Sequence, residues 1–155
     1  MSTTEELTTA VTRLVSARVT GFDRTVDIIE AGFRRGDAET RLHAQCPFRV
    51  TRGDKILLGS EDLRFPATRD ADAVTAFRDR TTMFERKARR LSERFEAVEY
   101  RVESAELGPA GRFSLRLGDD VTIEVLPACA GPVEQWRLFD RGTDRHFVYP
   151  DSATH

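Results

Sequence analysis

The sequence predicts an α+β domain built on a mostly antiparallel, curved sheet of about seven to nine strands, with an N-terminal helix and one or two central helices. Apolar and polar residues alternate in many short segments, as they do on half-buried strands. Two other segments repeat apolar residues every three or four positions, as amphipathic helices do. The order of helix, strands, helix and strands differs from the alternation of a doubly wound fold.

The composition indicates a single domain that spans residues 1–155. A chain of 155 residues buries roughly two thirds of its unfolded surface, and a hydrophobic fraction of 39% with ten Phe can supply the core. The charged fraction is 32%, but the signs are mixed and the formal net charge is only −2. We therefore do not expect a nucleic-acid partner.

Several features of the sequence bear on its compartment. The N-terminal residues MSTTEELTTA lack the basic and apolar regions of a secretory signal, and no apolar run approaches the ~20 residues of a membrane span. Cys46 and Cys129 have no CxxC spacing and are too few for a disulfide scaffold, although one disulfide stays open if they meet. Arginine supplies nearly all basic residues, which is typical of a GC-rich genome, with a functional need for the geometry of arginine as the minor alternative. We expect a cytoplasmic protein without a cofactor, a metal or membrane association.

The first elements follow from capping and periodicity. Ser2 or Thr3 can cap a helix that should end near Ala17, and its apolar side chains form one stripe. Two short strands are then predicted, one over Arg18–Phe22 and one over Val26–Phe33.

The stretch Arg41–Phe65 gives the clearest pattern. It predicts one long strand, a tight turn at Arg52-Gly53-Asp54 and a return strand over Lys55–Gly59. Pro47 has no N–H for a ladder, so it implies an edge, a bulge or a strand end within the first strand. The alternating apolar residues of that strand are Leu42, Ala44, Cys46, Phe48 and Val50.

The central segment predicts helices, and the remainder predicts strands. Thr82 and Glu85 match a capping box, in which a hydroxyl residue precedes an acid by three positions. Arg80 and Thr81 interrupt the apolar stripe, which favours two helices over a single helix from Ala73 to Phe95. The later predicted strands are Val98–Val102, Phe113–Leu117, Val121–Val125, Gln135–Phe139 and His146–Tyr149.

Several short motifs carry a resemblance to known sequences. The segments LHAQCPFR and LLGSEDL, followed later by TIEVLP, EQWRLF and HFV, resemble a family of small bacterial proteins of uncharacterised function that is frequent in actinobacteria. Its motifs have the form LHxQCPxR, GSxDL and WRLF, and Phe48 stands where the family pattern suggests Trp. The resemblance implies no catalytic residue. Small α+β proteins of this kind include immunity and partner-binding proteins, so it implies a binding role by analogy.

Five residues are candidates for binding a small ligand. His43 and Gln45 share a strand face that Arg49 continues, so they could line a cleft, although the solvent face of a half-buried sheet gives the same pattern. Asp62 follows a strand end and is a candidate for a polar contact. Trp136 lies in a late strand and could complete such a pocket, although a single Trp more often packs in the core.

Other polar residues have competing interpretations. Arg137 could reach the carboxylate of Glu124 or Glu134 within the sheet. Cys46 lies on the apolar ladder and is interpreted as a small buried hydrophobe. A nucleophilic role for Cys46, or a metal pair with His43, is the minor alternative.

The central helix carries the most basic segment of the chain. A solvated helix face, a nucleic-acid contact and a patch that meets an acidic protein partner all fit this segment. Interleaved acids and the net charge of −2 argue against nucleic acid. The candidate partner-binding residues are Arg86, Arg89, Arg90 and Arg94, with Lys87 beside them.

The sequence favours a non-enzymatic module that binds another protein. It contains no phosphate-cradling glycine loop, GxSxG, HExxH or dinucleotide fingerprint. The alternative is a small-molecule-binding domain, or a small enzyme, with a pocket between the sheet and the helices. Self-association into a homodimer through an edge at Pro47 also stays open.

Overall fold

A computed structural model describes residues 3–151, and within them the chain forms three α-helices and ten strands. The α-helices are α1 (Thr4–Thr12), α2 (Ala73–Asp79) and α3 (Met83–Ala97). The 3₁₀-helices are Ser60–Arg64 and Pro109–Gly111. The strands are β1 (Arg18–Thr25), β2 (Ile28–Arg35), β3 (Ala38–Ala44), β4 (Phe48–Arg52), β5 (Lys55–Gly59), β6 (Ser104–Leu107), β7 (Phe113–Arg116), β8 (Val121–Val125), β9 (Trp136–Asp140) and β10 (His146–Tyr149).

The strands form two antiparallel sheets of five strands each. The first sheet has the order β1-β2-β3-β9-β10, and the second has the order β5-β4-β8-β7-β6. The predicted α+β class with antiparallel pairing is confirmed. The prediction of a single curved sheet is wrong, because the chain leaves one sheet and enters the other between β3 and β4.

The transition between the sheets is at Pro47. Before it, Gln45 donates its backbone N–H to the carbonyl of Gln135 at 2.8 Å, which continues the pairing of β3 with β9. After it, the carbonyl of Pro47 accepts the N–H of Leu126 at 2.8 Å, which begins the pairing of β4 with β8. Proline donates no N–H, so it fits a strand end, one of the three placements that the sequence predicts. The predicted hairpin of β4 and β5 is confirmed.

Two helices close the open sides between the sheets. Helix α3 packs against β1 and β5, and α1 packs against β6 and β10, so each helix bridges one edge of both sheets. Aromatic pairs join the sheets across a common core. The ring centroids of Phe22 and Phe48 are 5.9 Å apart, and those of Phe113 and Trp136 are 4.8 Å apart.

The predicted helix starts are confirmed where the structure describes them. Thr3 accepts the N–H of Glu6 at 3.1 Å and donates its own N–H to the Glu6 carboxylate at 2.8 Å. Thr82 begins α3 with the same reciprocal arrangement. Ser2, the other predicted cap of α1, lies outside the described residues. Helix α1 ends at Thr12, earlier than predicted, because the next residues bond three positions back rather than four, as Leu14 does to the carbonyl of Val11 at 3.1 Å.

A buried arginine fixes α2 and α3 against the first sheet. Arg24 is only 4% exposed, and its guanidinium forms an ion pair with Glu85 of α3. It also donates to the carbonyls of Val26 and Phe77, each at 2.6 Å, and lies 4.2 Å from the centre of the Phe77 ring. Burial would raise the pKa of Glu85, but hydrogen bonds from Thr82 and Arg24 outweigh burial and hold that pKa below its ordinary value.

We expect the substitution Arg24→Ala to lower the free energy of unfolding by about 3–5 kcal/mol, because it leaves the Glu85 carboxylate buried without its cation. Urea denaturation at neutral pH measures this change. Arg78→Ala is the matched control, since Arg78 pairs with Asp79 at 3.1 Å in a largely exposed position. That control should change the free energy by less than about 1 kcal/mol. Equal small losses in both variants would contradict the structural role of Arg24.

Candidate functional site

His43 lies on the outward face of the first sheet. The strand register places Glu30 and Arg137 beside it on the two neighbouring strands. Its Nε2 is 3.1 Å from Oε1 of Glu30, and its ring packs edge-on against Phe139 with centroids 4.8 Å apart. His43 therefore belongs to a half-buried polar row that crosses the middle of the sheet.

Glu134 links this row to Gln45. Gln45 donates from Nε2 to Glu134 at 2.9 Å, and Arg137 donates from Nη2 to the same carboxylate at 2.6 Å. Arg137 also donates to Nδ1 of His146 at 2.7 Å. Of the two carboxylates that the sequence offers to Arg137, the structure thus selects Glu134 over Glu124.

The remaining ligand candidates lie elsewhere. Trp136 neighbours Arg137 in β9, so it points to the opposite face from His43, where it is fully buried and donates to the Gly111 carbonyl at 2.8 Å. Arg49 belongs to the second sheet and pairs with Glu124 at 2.9 Å. Asp62 accepts the N–H of Gly59 at 2.9 Å and so starts the 3₁₀-helix. The structure brings His43 and Gln45 together and does not bring Trp136 to their face.

The environment of His43 favours its neutral form. Burial lowers the pKa of His43 below its ordinary value of 6.5, and the nearby carboxylate of Glu30 only partly offsets that effect. A neutral imidazole beside a carboxylate can accept a proton on its other nitrogen. The polar groups of this row nevertheless bond mainly to one another, and they lie on an open face of the sheet.

A basic surface occupies the solvent side of α3. The apolar side of this helix, with Phe84 and Phe95 among its residues, is buried in the core. Arg86, Arg89 and Arg90 are exposed on the opposite side, at spacings that place neighbouring side chains about 5–6 Å apart at Cβ. We call these three residues the arginine face. None of the ion pairs between residues 3 and 151 includes them.

Arg94 differs from the other predicted partner-binding residues. Its Nε donates to the hydroxyl of Tyr100 at 2.9 Å, and that hydroxyl donates to Asp119 at 3.0 Å. Arg94 therefore ties the end of α3 to the second sheet, while the arginine face remains directed to solvent.

An open apolar groove of about 540 Å³ lies between the Pro47 corner, the first 3₁₀-helix and α2. Its apolar lining includes Leu63, Phe77 and Val74, and Val74 is 76% exposed. The segment after this 3₁₀-helix runs beside α3, where Arg86 donates to the carbonyl of Ala67 at 3.4 Å. The short segment between the 3₁₀-helix and α2 therefore borders the groove and contacts Arg86 of the arginine face.

The two cysteines are free, and both line a small cavity near Glu134. Burial raises the pKa of the Cys46 thiol to about 12, which leaves it protonated and fits its interpretation as a buried hydrophobe. Cys129 is exposed in the loop before β9. Within residues 3–151, no three His, Cys, Asp or Glu side chains are placed to hold a metal ion.

Sequence reasoning did not find the groove or a second cleft beside α1. Both are assembled from elements that lie far apart in the sequence, such as α1 and the turn between β9 and β10. Periodicity and local motifs report on single elements. No signal in the sequence marks residues that only the tertiary structure brings together.

Comparisons with family models, with curated proteins and with solved structures found no match to this chain. The resemblance carried by the LHxQCPxR, GSxDL and WRLF motifs therefore stays a prediction. No helix between residues 3 and 151 is long and apolar enough to cross a membrane.

We expect the lowered pKa of His43 to make the protein less stable in mild acid. The folded state protonates His43 at a lower pH than the unfolded chain does, so the unfolded chain holds more protons between the two pKa values. The free energy of unfolding should therefore fall as the pH drops below about 6.5.

The measurement is urea denaturation of the wild type and of His43→Gln at several pH values between about 7.5 and 5. The wild type should lose more stability over this range than the variant, which has no imidazole at this position. The same loss in both proteins would show that His43 has no lowered pKa in the folded state.

Proposed function

We propose that the protein is a non-catalytic binding module that docks through the arginine face of α3 onto an acidic region of another protein. The observation that carries this proposal is the concentration of three exposed arginines on one turn and a half of helix, with no acid paired to them among the described residues. Elsewhere on the surface many arginines are paired. Arg64 with Glu61, and Arg80 with Asp23, are examples.

Arginine suits a protein interface for physical reasons. Its planar guanidinium binds carboxylates in a two-pronged manner and is more weakly hydrated than an ammonium group. Arginine is accordingly enriched at protein interfaces, whereas lysine is depleted. A partner that presents carboxylates to the arginine face would gain both orientation and a faster association rate.

The rigidity of α3 supports the same proposal. Its apolar side is packed in the core, its first turn is capped by Thr82, and Glu85 holds it to Arg24. The three guanidinium groups therefore extend from a fixed backbone, which reduces the entropy that binding must remove. The adjoining apolar groove offers a place for an uncharged side chain of the same partner.

Charge reversal tests the proposal. Affinity capture from the native lysate is carried out with three tagged proteins, and native mass spectrometry identifies what elutes. The proteins are the wild type, a control and the α3 variant, which carries Arg86→Glu, Arg89→Glu and Arg90→Glu. The control is Arg52→Glu, Arg112→Glu and Arg116→Glu, which reverses three exposed arginines away from α3 and changes the net charge by the same amount.

The wild type and the control should retain the same protein in stoichiometric amount, and the α3 variant should bind it at least about tenfold more weakly. Three charge pairs of about 0.5 kcal/mol each account for that factor. Retention should also weaken as the salt concentration rises, since exposed charges are screened. A partner that binds the α3 variant as tightly as the wild type would contradict the proposal, as would a wild type that elutes alone.

A further inference from the structure

A further cleft lies between α1 and the ends of β2, β3 and β9, away from the arginine face. Its volume is about 480 Å³, which is within the range of small-molecule sites. Beneath it the core side chains Leu14, Phe33 and Leu138 are almost fully buried, and the apolar side chains that a ligand can reach include the partly buried Phe139 and Phe147. This cleft beside α1 thus offers an apolar surface for one face of a ligand.

Two arginines stand at the mouth of this cleft, and both are loosely paired. Arg13 is 3.7 Å from Asp140, which is longer than a hydrogen bond, and its side chain is 46% exposed. Arg141 is 3.4 Å from Glu39, and its side chain is 66% exposed. Both guanidinium groups can therefore turn toward a ligand at small cost.

Each of the two paired acids has a second partner, and a third acid, Asp37, also lines the cleft. Asp140 accepts the hydroxyl of Thr40 at 2.9 Å, and Glu39 accepts the guanidinium of Arg41 at 2.6 Å. Both carboxylates thus keep a partner if Arg13 and Arg141 move. A third arginine at the cleft, Arg35, is already engaged, because it donates to the carbonyls of Arg13 and Val15 at the end of α1.

We propose that the cleft beside α1 binds a small amphipathic monocarboxylate, with its aliphatic chain on the apolar surface and its carboxylate between Arg13 and Arg141. The aliphatic chain of the ligand contributes the hydrophobic part of the affinity, and the two guanidinium groups supply charge-assisted hydrogen bonds to its carboxylate. This inference does not rest on the proposed partner surface, since it uses none of the residues of α3.

Titration calorimetry of the full chain with hexanoate, octanoate and decanoate tests the ligand class. Binding should be saturable with one site, and the dissociation constant should fall by about fourfold for each added methylene, because each methylene leaves water. The methyl ester of decanoic acid, which carries no charge, should bind at least about tenfold more weakly than decanoate.

The double variant Arg13→Gln, Arg141→Gln tests the head group. Both residues are exposed, so the variant should fold, and it should bind decanoate about tenfold more weakly while binding the ester as the wild type does. The control is Arg64→Gln, Arg78→Gln, which removes two exposed, paired arginines that do not line the cleft and should bind like the wild type.

Absence of saturable binding of decanoate to the wild type would overturn the inference. So would equal affinity for decanoate and its ester, or a double variant that binds decanoate like the control. The charge-reversed α3 variant should bind decanoate normally, so failure of the partner proposal and failure of this inference are distinguishable.

Discussion

The buried ion pair between Arg24 and Glu85 is the interaction on which the arrangement of the helices depends. A guanidinium that is 4% exposed requires a charged partner and further hydrogen bonds, and here all of its donors point to α2, α3 or the turn after β1. Because Glu85 also caps α3 through Thr82, the same carboxylate fixes where that helix begins. The pair therefore sets the position from which α3 buries its apolar side and presents its arginines.

The division of the chain at Pro47 is the second constraint. The apolar residues from Leu42 to Val50 alternate without interruption and are all buried, so the predicted ladder is confirmed as a description of burial. It failed as a description of pairing, because the backbone changes its partner from β9 to β8 while the same face stays toward the core. Period-two alternation reports which face is buried and does not report which strand supplies the hydrogen bonds.

The candidate sites show the same limit. The common face of His43 and Gln45 and the solvent side of α3 can be read from the sequence, because each depends on local backbone geometry, whereas their roles as binding residues stay predictions. The sequence missed the buried role of Arg24, because the partners of this residue lie on α2 and α3, far away in the sequence. It could not indicate the cleft beside α1, because Arg13 and Arg141 line one cavity only through the packing of α1 on the first sheet.

The proposed docking of α3 onto a partner is tested most directly by zero-length cross-linking. The chain has only two lysines, Lys87 within α3 and Lys55 at the tip of the hairpin between β4 and β5. A carbodiimide joins a lysine amine to a carboxylate that contacts this amine. The captured complex is therefore treated with a carbodiimide, and mass spectrometry identifies the cross-linked residues. We expect cross-links from Lys87 to acidic residues of the partner. Cross-links from Lys55 with none from Lys87 would contradict this docking.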